Sequence, residues 1–326
     1  MKRRGVLSTL GACAVSWPFA THAQPRAKEH RIGILTPAPT QWPPAEADAW
    51  QRTLETLGYR VGANLTIERR DADGRLERLP RLARELVAAR VEAIVAVNTP
   101  ATRAAIAATS TIPILMASVG DPVATNLVAS LRQPGANVTG VSLQVGEIAA
   151  KRLQLLKECV PAATRVAVLM HPDDPIAAPQ MRDVTAAAAR LGGAIKFLPV
   201  RQPGDVDGAF AELVAWRAQA ILRLAGQSLL VSRPTIELAM RHRLPTMLVL
   251  KSDVRAGALM AYDADRVDAA RRVAHYVDRV LKGGNPALMP IEQPTKFELA
   301  INLRTAKALG LSVPVALLAA ADEVIE

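Results

Sequence analysis

Ser118 and Asp121 bring a hydroxyl and a carboxylate into one short loop, Ser118–Pro122, between two apolar patterns. The run Ile112–Ala117 before the loop is too short for a helix and is bounded by turn residues, which predicts a buried strand. The apolar spacing over Val123–Leu131 after the loop predicts a helix. Polar side chains beside the free N–H groups of a helix start can hold a small polar group, so the loop predicts a ligand contact.

Similar loops recur at the ends of the other predicted strands. Each follows a short apolar run and supplies hydroxyl, amide, carboxylate or imidazole groups, with Pro or Gly in the turn. Because ligands bind at the carboxyl ends of strands in open parallel sheets, these loops together predict a site for a small polar molecule. Thr99, Ser118 and Asp121 rank highest, since a helix start follows each. The candidate ligand contacts are Thr36, Asn98, Thr99, Pro100, Ser118, Asp121, Pro122, His171, Asp173, Gly226, Gln227, Ser252, Asp253 and Tyr262.

The residue patterns give little support to catalysis. The sequence lacks GxSxG, HExxH, GxGxxG and P-loop patterns, and the candidate loops hardly pair a nucleophile with a base. Asp121 is the one fair candidate for an acid or base, which keeps open an enzyme on the same scaffold. His171 beside Asp173 is interpreted as a proline-bracketed loop with solvated acids rather than a metal site. We therefore predict no catalytic residue, no metal and no cofactor.

The elements that must position these loops alternate along the chain. Short apolar runs alternate with segments of helical periodicity, first up to residue 142 and then again from residue 149. This alternation predicts parallel, doubly wound sheets. The 326 residues are enough for two lobes of ordinary domain size. The predicted fold class is α/β, with two Rossmann-like lobes joined by hinge crossings.

The lobe boundaries follow from the place where the second series starts. We assign residues 30–141 and 258–288 to the first lobe, and residues 142–257 and 289–326 to the second. The first crossing is expected at Gly140, Val141 and Ser142, and the return crossing at Gly257. Glycine tolerates backbone angles that other residues avoid, which suits a hinge.

The N-terminus has the features of an export signal. Residues 2–4 are basic, an apolar stretch follows to Ala20, and a cleavage site ends at Ala23. Residues 1–23 are therefore predicted to be a secretory signal peptide, which places the mature protein in the periplasm. A lipoprotein anchor at Cys13 is the less favoured alternative, because the apolar stretch before it is short.

The charge distribution gives poor support to a nucleic-acid surface. The formal net charge is +10, but the basic residues are spread along helices, without a run of five. Aromatic residues, which stack on bases in many nucleic-acid sites, make up only 3% of the chain. We predict no nucleic-acid partner.

Several ordered segments carry a resemblance to a known family. They include VNTPATRAA at 97–105, SVGDPV at 118–123, LVASLRQPGANVTGVS at 127–142 and YVDRVLKGGNPALMPIEQPTKFELAINLRTAKALGL at 276–311. The chain resembles the extracytoplasmic substrate-binding proteins of ABC transporters, closest to the tryptophan/tyrosine-type receptors, over essentially the whole mature chain. The resemblance implies a type I periplasmic binding protein fold, with ligand capture between lobes and hinge closure.

The resemblance also implies which loops bind. The family's binding positions match Thr99 and Pro100, the loop Ser118–Pro122, and the strand ends of the second lobe. In that lobe, LAGQSLLVS at 224–232 stands where tryptophan-type members have a Pro-Thr-Asp-Asn loop. This departure argues against an aromatic amino acid as the ligand.

The sequence thus predicts a solute-binding receptor of an ABC-type importer. The ligand would be a small polar molecule, amino acid-like or organic acid-like, delivered by a monomer to a permease and ATPase at the inner membrane. Two alternatives stay open: a periplasmic ligand sensor that does not take part in transport, and a periplasmic enzyme on the same scaffold.

Overall fold

The computed structural model describes residues 28–38, 43–143, 145–226 and 231–326. The signal peptide predicted over 1–23 lies outside these ranges, as does Gln227. Within the ranges, no helix is long and apolar enough to cross a membrane. The described chain forms one five-stranded and one seven-stranded sheet, with helices against both.

The strands are short, and most of their residues are buried. In chain order they are β1 His30–Thr36, β2 Leu65–Asp71, β3 Ala93–Val97, β4 Ile114–Val119, β5 Val138–Ser142, β6 Arg165–Met170, β7 Ala194–Pro199, β8 Ala220–Arg223, β9 Thr246–Leu248, β10 Met260–Ala264, β11 Phe297–Asn302 and β12 Glu323–Ile325.

The helices alternate with the strands along most of the chain. They are α1 Pro44–Thr56, α2 Leu79–Ala88, α3 Asn98–Ala108, α4 Val145–Cys159, α5 Ala177–Arg190, α6 Val206–Ala215, α7 Ser232–Arg241, α8 Lys251–Arg255, α9 Arg266–Leu281, α10 Leu303–Leu309 and α11 Val315–Ala320.

Both sheets are doubly wound. The first has the strand order β2-β1-β3-β4-β5, and all of its pairs are parallel. The second has the order β12-β11-β10-β9-β8-β6-β7, with β11 antiparallel to β10. The order reverses between β1 and β3 and between β8 and β6, and ligands bind at such switch points. The α/β fold class predicted from the sequence is confirmed.

Strand β3 shows why these short runs form central strands. All five of its residues are buried, and successive side chains point to opposite faces of the sheet. Ala93, Val95 and Val97 belong to one hydrophobic core, while Ile94 and Ala96 belong to the core on the other face. An apolar run without alternation is what a strand covered by helices on both sides requires.

The helix predicted over Val123–Leu131 is wrong. This segment consists of turns, and Asn126 has a left-handed backbone with φ 55°, which interrupts helical geometry. The carbonyl of Pro122 accepts hydrogen bonds from the N–H groups of both Leu127 and Val128. The apolar spacing reflects side chains packed against the first lobe's core, where Val128, Leu127 and Leu131 lie.

The lobe boundaries differ from the prediction on the return side. Residues 258–264 were assigned to the first lobe, but β10 pairs in parallel with β9 in the second sheet. The chain therefore returns to the first lobe after Ala264, where α9 packs against the core of the first sheet. Gly257 is consequently not a hinge, since it connects α8 to β10 within the second lobe.

The first crossing lies where the sequence predicted it, between β5 and α4. Val141 forms an isolated parallel bridge with Glu292, at the start of the third connection between the lobes. The N–H of Ser142 donates to the Glu292 carbonyl, and the N–H of Glu292 donates to the Gly140 carbonyl. Two crossings therefore run side by side here.

Candidate ligand-binding site

The carboxyl ends of both parallel sheets face each other between the lobes. One hydrophobic core joins Val97 and Ala117 of the first sheet with Ile176, Ala225 and Val249 of the second lobe. The lobes are thus in direct contact, and the loops that follow their strands meet in a closed cleft.

Arg266, the first residue of α9, connects the two lobes. Asp265 caps this helix, accepting from the N–H of Asp268 at 2.9 Å, and so fixes where Arg266 begins the first turn. The Arg266 Nε donates to Asp263 Oδ2 at 2.7 Å, and its NH1 lies 3.5 Å from Ser118 Oγ. Burial by itself lowers the pKa of Arg266, but Asp263 and Glu46 outweigh it and raise that pKa.

Arg152 of α4 approaches the same carboxylate from the second lobe. Its NH2 donates to Asp263 Oδ1 at 2.9 Å, and its Nε donates to the Tyr262 carbonyl at 2.6 Å. The side chain is fully buried, which lowers its pKa to about 10; Asp263 opposes this, while Arg266 and Arg223 add to it. Asp263 therefore holds two arginines, one on each side of the crossing.

Arg223 ends β8 and is also fully buried. Its NH2 donates to Asp253 Oδ2 and its NH1 donates to Ser232 Oγ at 2.6 Å. Asp253 in turn accepts from the N–H of Leu250 at 3.1 Å, which holds the start of α8. A buried charge is tolerated only when it is paired in this way.

A cavity of about 100 Å³ lies between the lobes. Glu46 of α1 lines it from the first lobe, and Ser252 and Lys251 of α8 line it from the second. Asp263 and Arg266 line it beside the crossing. Burial raises the pKa of Glu46 to about 7; Arg266 lowers that pKa and Asp263 raises it.

Several buried polar atoms in this part of the fold have no hydrogen-bond partner among the described residues. They include Thr99 Oγ1, in the first turn of α3, and His171 Nδ1, directly after β6, as well as NH1 of Arg152 and Nε of Arg223. Burial lowers the pKa of His171, which favours the neutral imidazole. Asn98, next to Thr99, has a left-handed backbone with φ 69°. Unpartnered buried polar atoms call for an explanation, and a bound molecule supplies one.

Other predicted contacts have partners of their own in the structure. The Thr36 hydroxyl donates to Asp71 at 2.6 Å. Asp121 caps a turn, since its Oδ1 accepts from the N–H groups of both Val123 and Ala124. Asp173 is exposed and pairs with Arg201 at 2.9 Å, and Arg201 lies in the same lobe. The Tyr262 ring stacks on Phe297 with 6.0 Å between centroids. These four residues have structural roles here.

The predicted glycines are sterically constrained. Gly226 follows β8 with φ 103°, and a Cβ there would overlap the carboxylate of Asp174. Gly140 has φ 127°, and a Cβ would lie 2.6 Å from the Met116 N. Gly140 is thus required by close strand packing, and this requirement does not depend on any hinge role.

The two predicted prolines lie beside other candidate residues. Pro100 is half-buried on α3 and Pro122 is buried beside Asp121.

Sequence reasoning missed four charged residues that dominate the site: Glu46, Arg152, Arg223 and Arg266. It selected Tyr262 rather than the neighbouring Asp263. One signal was available, because Arg223 interrupts the apolar run 220–225 and Arg152 lies on the apolar face of its helix, next to Leu153. A charge inside an apolar pattern indicates a buried ion pair or a site.

No group of His, Cys, Asp and Glu in the described ranges has the arrangement of a metal site. Cys159 is a buried free thiol, and burial raises its pKa to about 11.

Comparison with known proteins gives consistent matches over most of the chain. The family described as "ABC transporter substrate binding protein" matches residues 45–325. A tyrosine-binding protein of Clostridioides difficile (strain R20291) is 28% identical over 264 residues, which cover 80% of this chain and 75% of that protein.

Two solved structures have the same fold. A conserved domain protein from Vibrio cholerae is 27% identical, with a TM-score of 0.86, over 91% of this chain and 100% of the other. A Streptococcus pneumoniae ABC domain in complex with L-Trp is 24% identical, with a TM-score of 0.84 and the same coverage of both chains.

Proposed function

The chain belongs to the family of ABC transporter substrate-binding proteins, and on that premise we propose that it captures a small polar molecule in the interlobe cleft. The ligand class is amino acid-like or organic acid-like. Lobe closure around the ligand would then present the loaded protein to a permease and its ATPase. The monomer is the form that acts, because the site is built within one chain.

The observation that carries this proposal is the cavity lined by both lobes. Glu46 reaches it from the first lobe and Ser252 from the second, while Arg266 and Asp263 line it at the crossing. A cavity divided between two lobes opens when they separate, which is how a hinge-closing receptor admits and releases its ligand. Thr99 and His171, buried without partners in the described structure, add further donors and acceptors.

Two relatives are described with an aromatic amino acid as their ligand. The C. difficile relative is described as tyrosine-binding, and the S. pneumoniae structure holds L-Trp. In this chain, however, β8 ends in a buried arginine, Arg223, and the next loop includes Gly226, which has no room for a side chain. We therefore propose that the ligand is an amino acid or organic acid with a polar side chain rather than an aromatic one.

A binding role is favoured over an enzyme on the same scaffold. The one acid that the sequence offered as a catalyst, Asp121, caps a turn. Among the described residues that line the cavity, no hydroxyl or thiol nucleophile is hydrogen-bonded to a base, and the Thr36–Asp71 pair is not part of that lining. The arginines and carboxylates neutralise one another, which suits holding a ligand without reacting with it.

Export through the signal peptide at residues 1–23 would place the protein in the periplasm, where the ligand is met. Cell fractionation of the full-length chain checks this, and a cytoplasmic mature chain with an intact N-terminus contradicts it. Anchoring at Cys13 would instead leave the protein attached to the membrane fraction after high-salt washing.

The experiment that tests the binding function is a thermal-shift screen of the mature protein against amino acids, organic acids and small sugars. A bound molecule stabilises the folded state by RT ln(1 + [L]/Kd), so a hundredfold excess over Kd adds about 2.7 kcal/mol. We expect at least one amino acid or organic acid to raise Tm. Turnover of that molecule during incubation would support the enzyme instead, and a Tm unaffected by all compounds contradicts the proposal.

A further inference from the structure

Glu46 differs from the other charged residues that line the interlobe cavity. Each of the others has a close ionic partner among the described residues. Asp263 binds Arg152 and Arg266, Glu298 binds Lys251 at 2.6 Å and Lys296 at 3.1 Å, and Arg255 binds Glu323 at 2.7 Å.

Among the described residues, Glu46 has only a distant ionic neighbour. Its carboxylate lies 4.0 Å from Arg266 NH1, beyond hydrogen-bond distance, and it accepts no hydrogen bond from any described residue. Its side chain is only 6% exposed, yet it lines the cavity. It is therefore a buried carboxyl group with room beside it and a hydrogen-bonding capacity that the described residues leave unfilled.

The electrostatics of the cavity are consistent with a missing cation. Burial disfavours the charged form of Glu46, Arg266 favours it, and the nearby charge of Asp263 disfavours it, so that the pKa is raised to about 7. Lys251, Arg255 and Glu298 also line the cavity, but each is neutralised by its own partner. Arg266 is shared with Asp263 and so only partly compensates Glu46.

We propose that Glu46 binds a cationic nitrogen of the captured molecule, an ammonium group, and that this contact releases a proton from Glu46 to solvent. The neutral acid and the ammonium ion give a carboxylate–ammonium pair and one free proton, so charge and protons balance. This inference rests on the proposed binding function and adds the ligand group that the cavity selects.

The size of the cavity fits this assignment. A water-sized group needs roughly 10–15 Å³ of such volume, and the cavity offers about 100 Å³. An ammonium group and the carbon that bears it fit there, and Ser252 on the opposite lobe is available as a further hydrogen-bonding group. Closure would place the ligand nitrogen between Glu46 of α1 and the α8 side of the second lobe.

The test compares amines with matched acids. The common L-amino acids and the corresponding deaminated carboxylic acids are titrated by calorimetry into the mature protein and into Glu46→Gln. For pairs that bind, we expect the amine to bind at least about tenfold more tightly than its deaminated partner, and Glu46→Gln to remove most of this difference. Glu55→Gln is the matched control, because Glu55 is exposed on the same helix, and it should bind as the wild type does.

Proton release gives a readout that needs no variant. Titration of a binding amino acid in two buffers of different ionisation enthalpy should show a net release of protons on binding near pH 7. The assignment is overturned if deaminated acids bind as tightly as the amines, if no proton is released, or if only acids bind. Binding of acids alone would leave the receptor function standing, whereas no binding by either class would remove both.

Discussion

Asp263 of β10 and Arg266 of α9 are three residues apart and joined by a 2.7 Å hydrogen bond across the point where the chain passes from one lobe to the other. Asp263 also accepts from Arg152 of the second lobe, and Arg266 also lies 3.5 Å from Ser118 of the first. The covalent crossing and the ionic network therefore coincide, so the position of the lobes is coupled to buried charges.

Replacement of Arg266 by Met should destabilise the protein. It leaves Asp263 buried with one cation instead of two, and removal of one partner of a buried pair costs about 3 kcal/mol. Urea unfolding monitored by circular dichroism measures the loss. Arg233→Met is the control, because Arg233 is 91% exposed and its helical pair with Glu237 contributes little. Equal effects in the two variants would show that the network contributes no more than a surface pair.

Glu46 should make stability depend on pH. Because burial raises its pKa from 4.5 to about 7, the folded state binds the proton more tightly than the unfolded state does. The contribution of the Glu46 proton to the free energy of unfolding is fully present below about pH 4.5. It is lost as pH rises through about 7, a change of roughly 3 kcal/mol. Glu46→Gln should therefore match the wild type near pH 4.5 and exceed its unfolding free energy at pH 8. A constant difference across this range would contradict the buried carboxyl.

Thr99→Val separates binding from folding. The Thr99 hydroxyl is buried without a partner among the described residues, so its removal should change the free energy of unfolding by less than about 1 kcal/mol. Affinity for the molecule found by the thermal-shift screen should fall by about tenfold, the equivalent of one hydrogen bond. Thr102→Val is the control, since the Thr102 hydroxyl donates to the Asn98 carbonyl within α3. If both variants bind normally, Thr99 is not a ligand contact.

Gly140→Ala should be strongly destabilising. The added Cβ would lie 2.6 Å from the Met116 N and would require φ 127° of a residue with a side chain. Overpacking and backbone strain of this kind cost about 2–3 kcal/mol or more. Gly208→Ala in α6 is the control, because nothing lies near its Cβ and alanine favours a helix. Thermal unfolding that shifts alike in both variants would contradict the close packing of β4 and β5.

Asp121 shows how one residue type fits two roles in a sequence-based prediction, and its ligand contact stays a prediction. A carboxylate after a strand fits both a ligand contact and a cap, and the structure shows the cap, because its Oδ1 accepts two backbone N–H groups. Asp173 is similar: its neighbours in sequence suggested the cleft, while its side chain pairs with Arg201 at the surface. Local sequence cannot distinguish a ligand contact from a cap or a surface ion pair. The difference depends on the backbone conformation of the turn at Asp121 and on a residue distant in sequence, Arg201, at Asp173.

The sequence by itself determined the alternation of strands and helices, because an apolar run buried on both faces and an amphipathic helix leave distinct periodicities. It also determined that polar loops follow the strands and that a crossing occurs near Gly140. Only the tertiary structure decided the site, because Glu46, Arg152, Arg223, Asp263 and Arg266 come from five separate elements of the two lobes. Local sequence can indicate that a charge is buried, as at Arg223 and Arg152, but it does not show which residue is the partner. That pairing arises only when the crossings bring the two lobes together around buried charges.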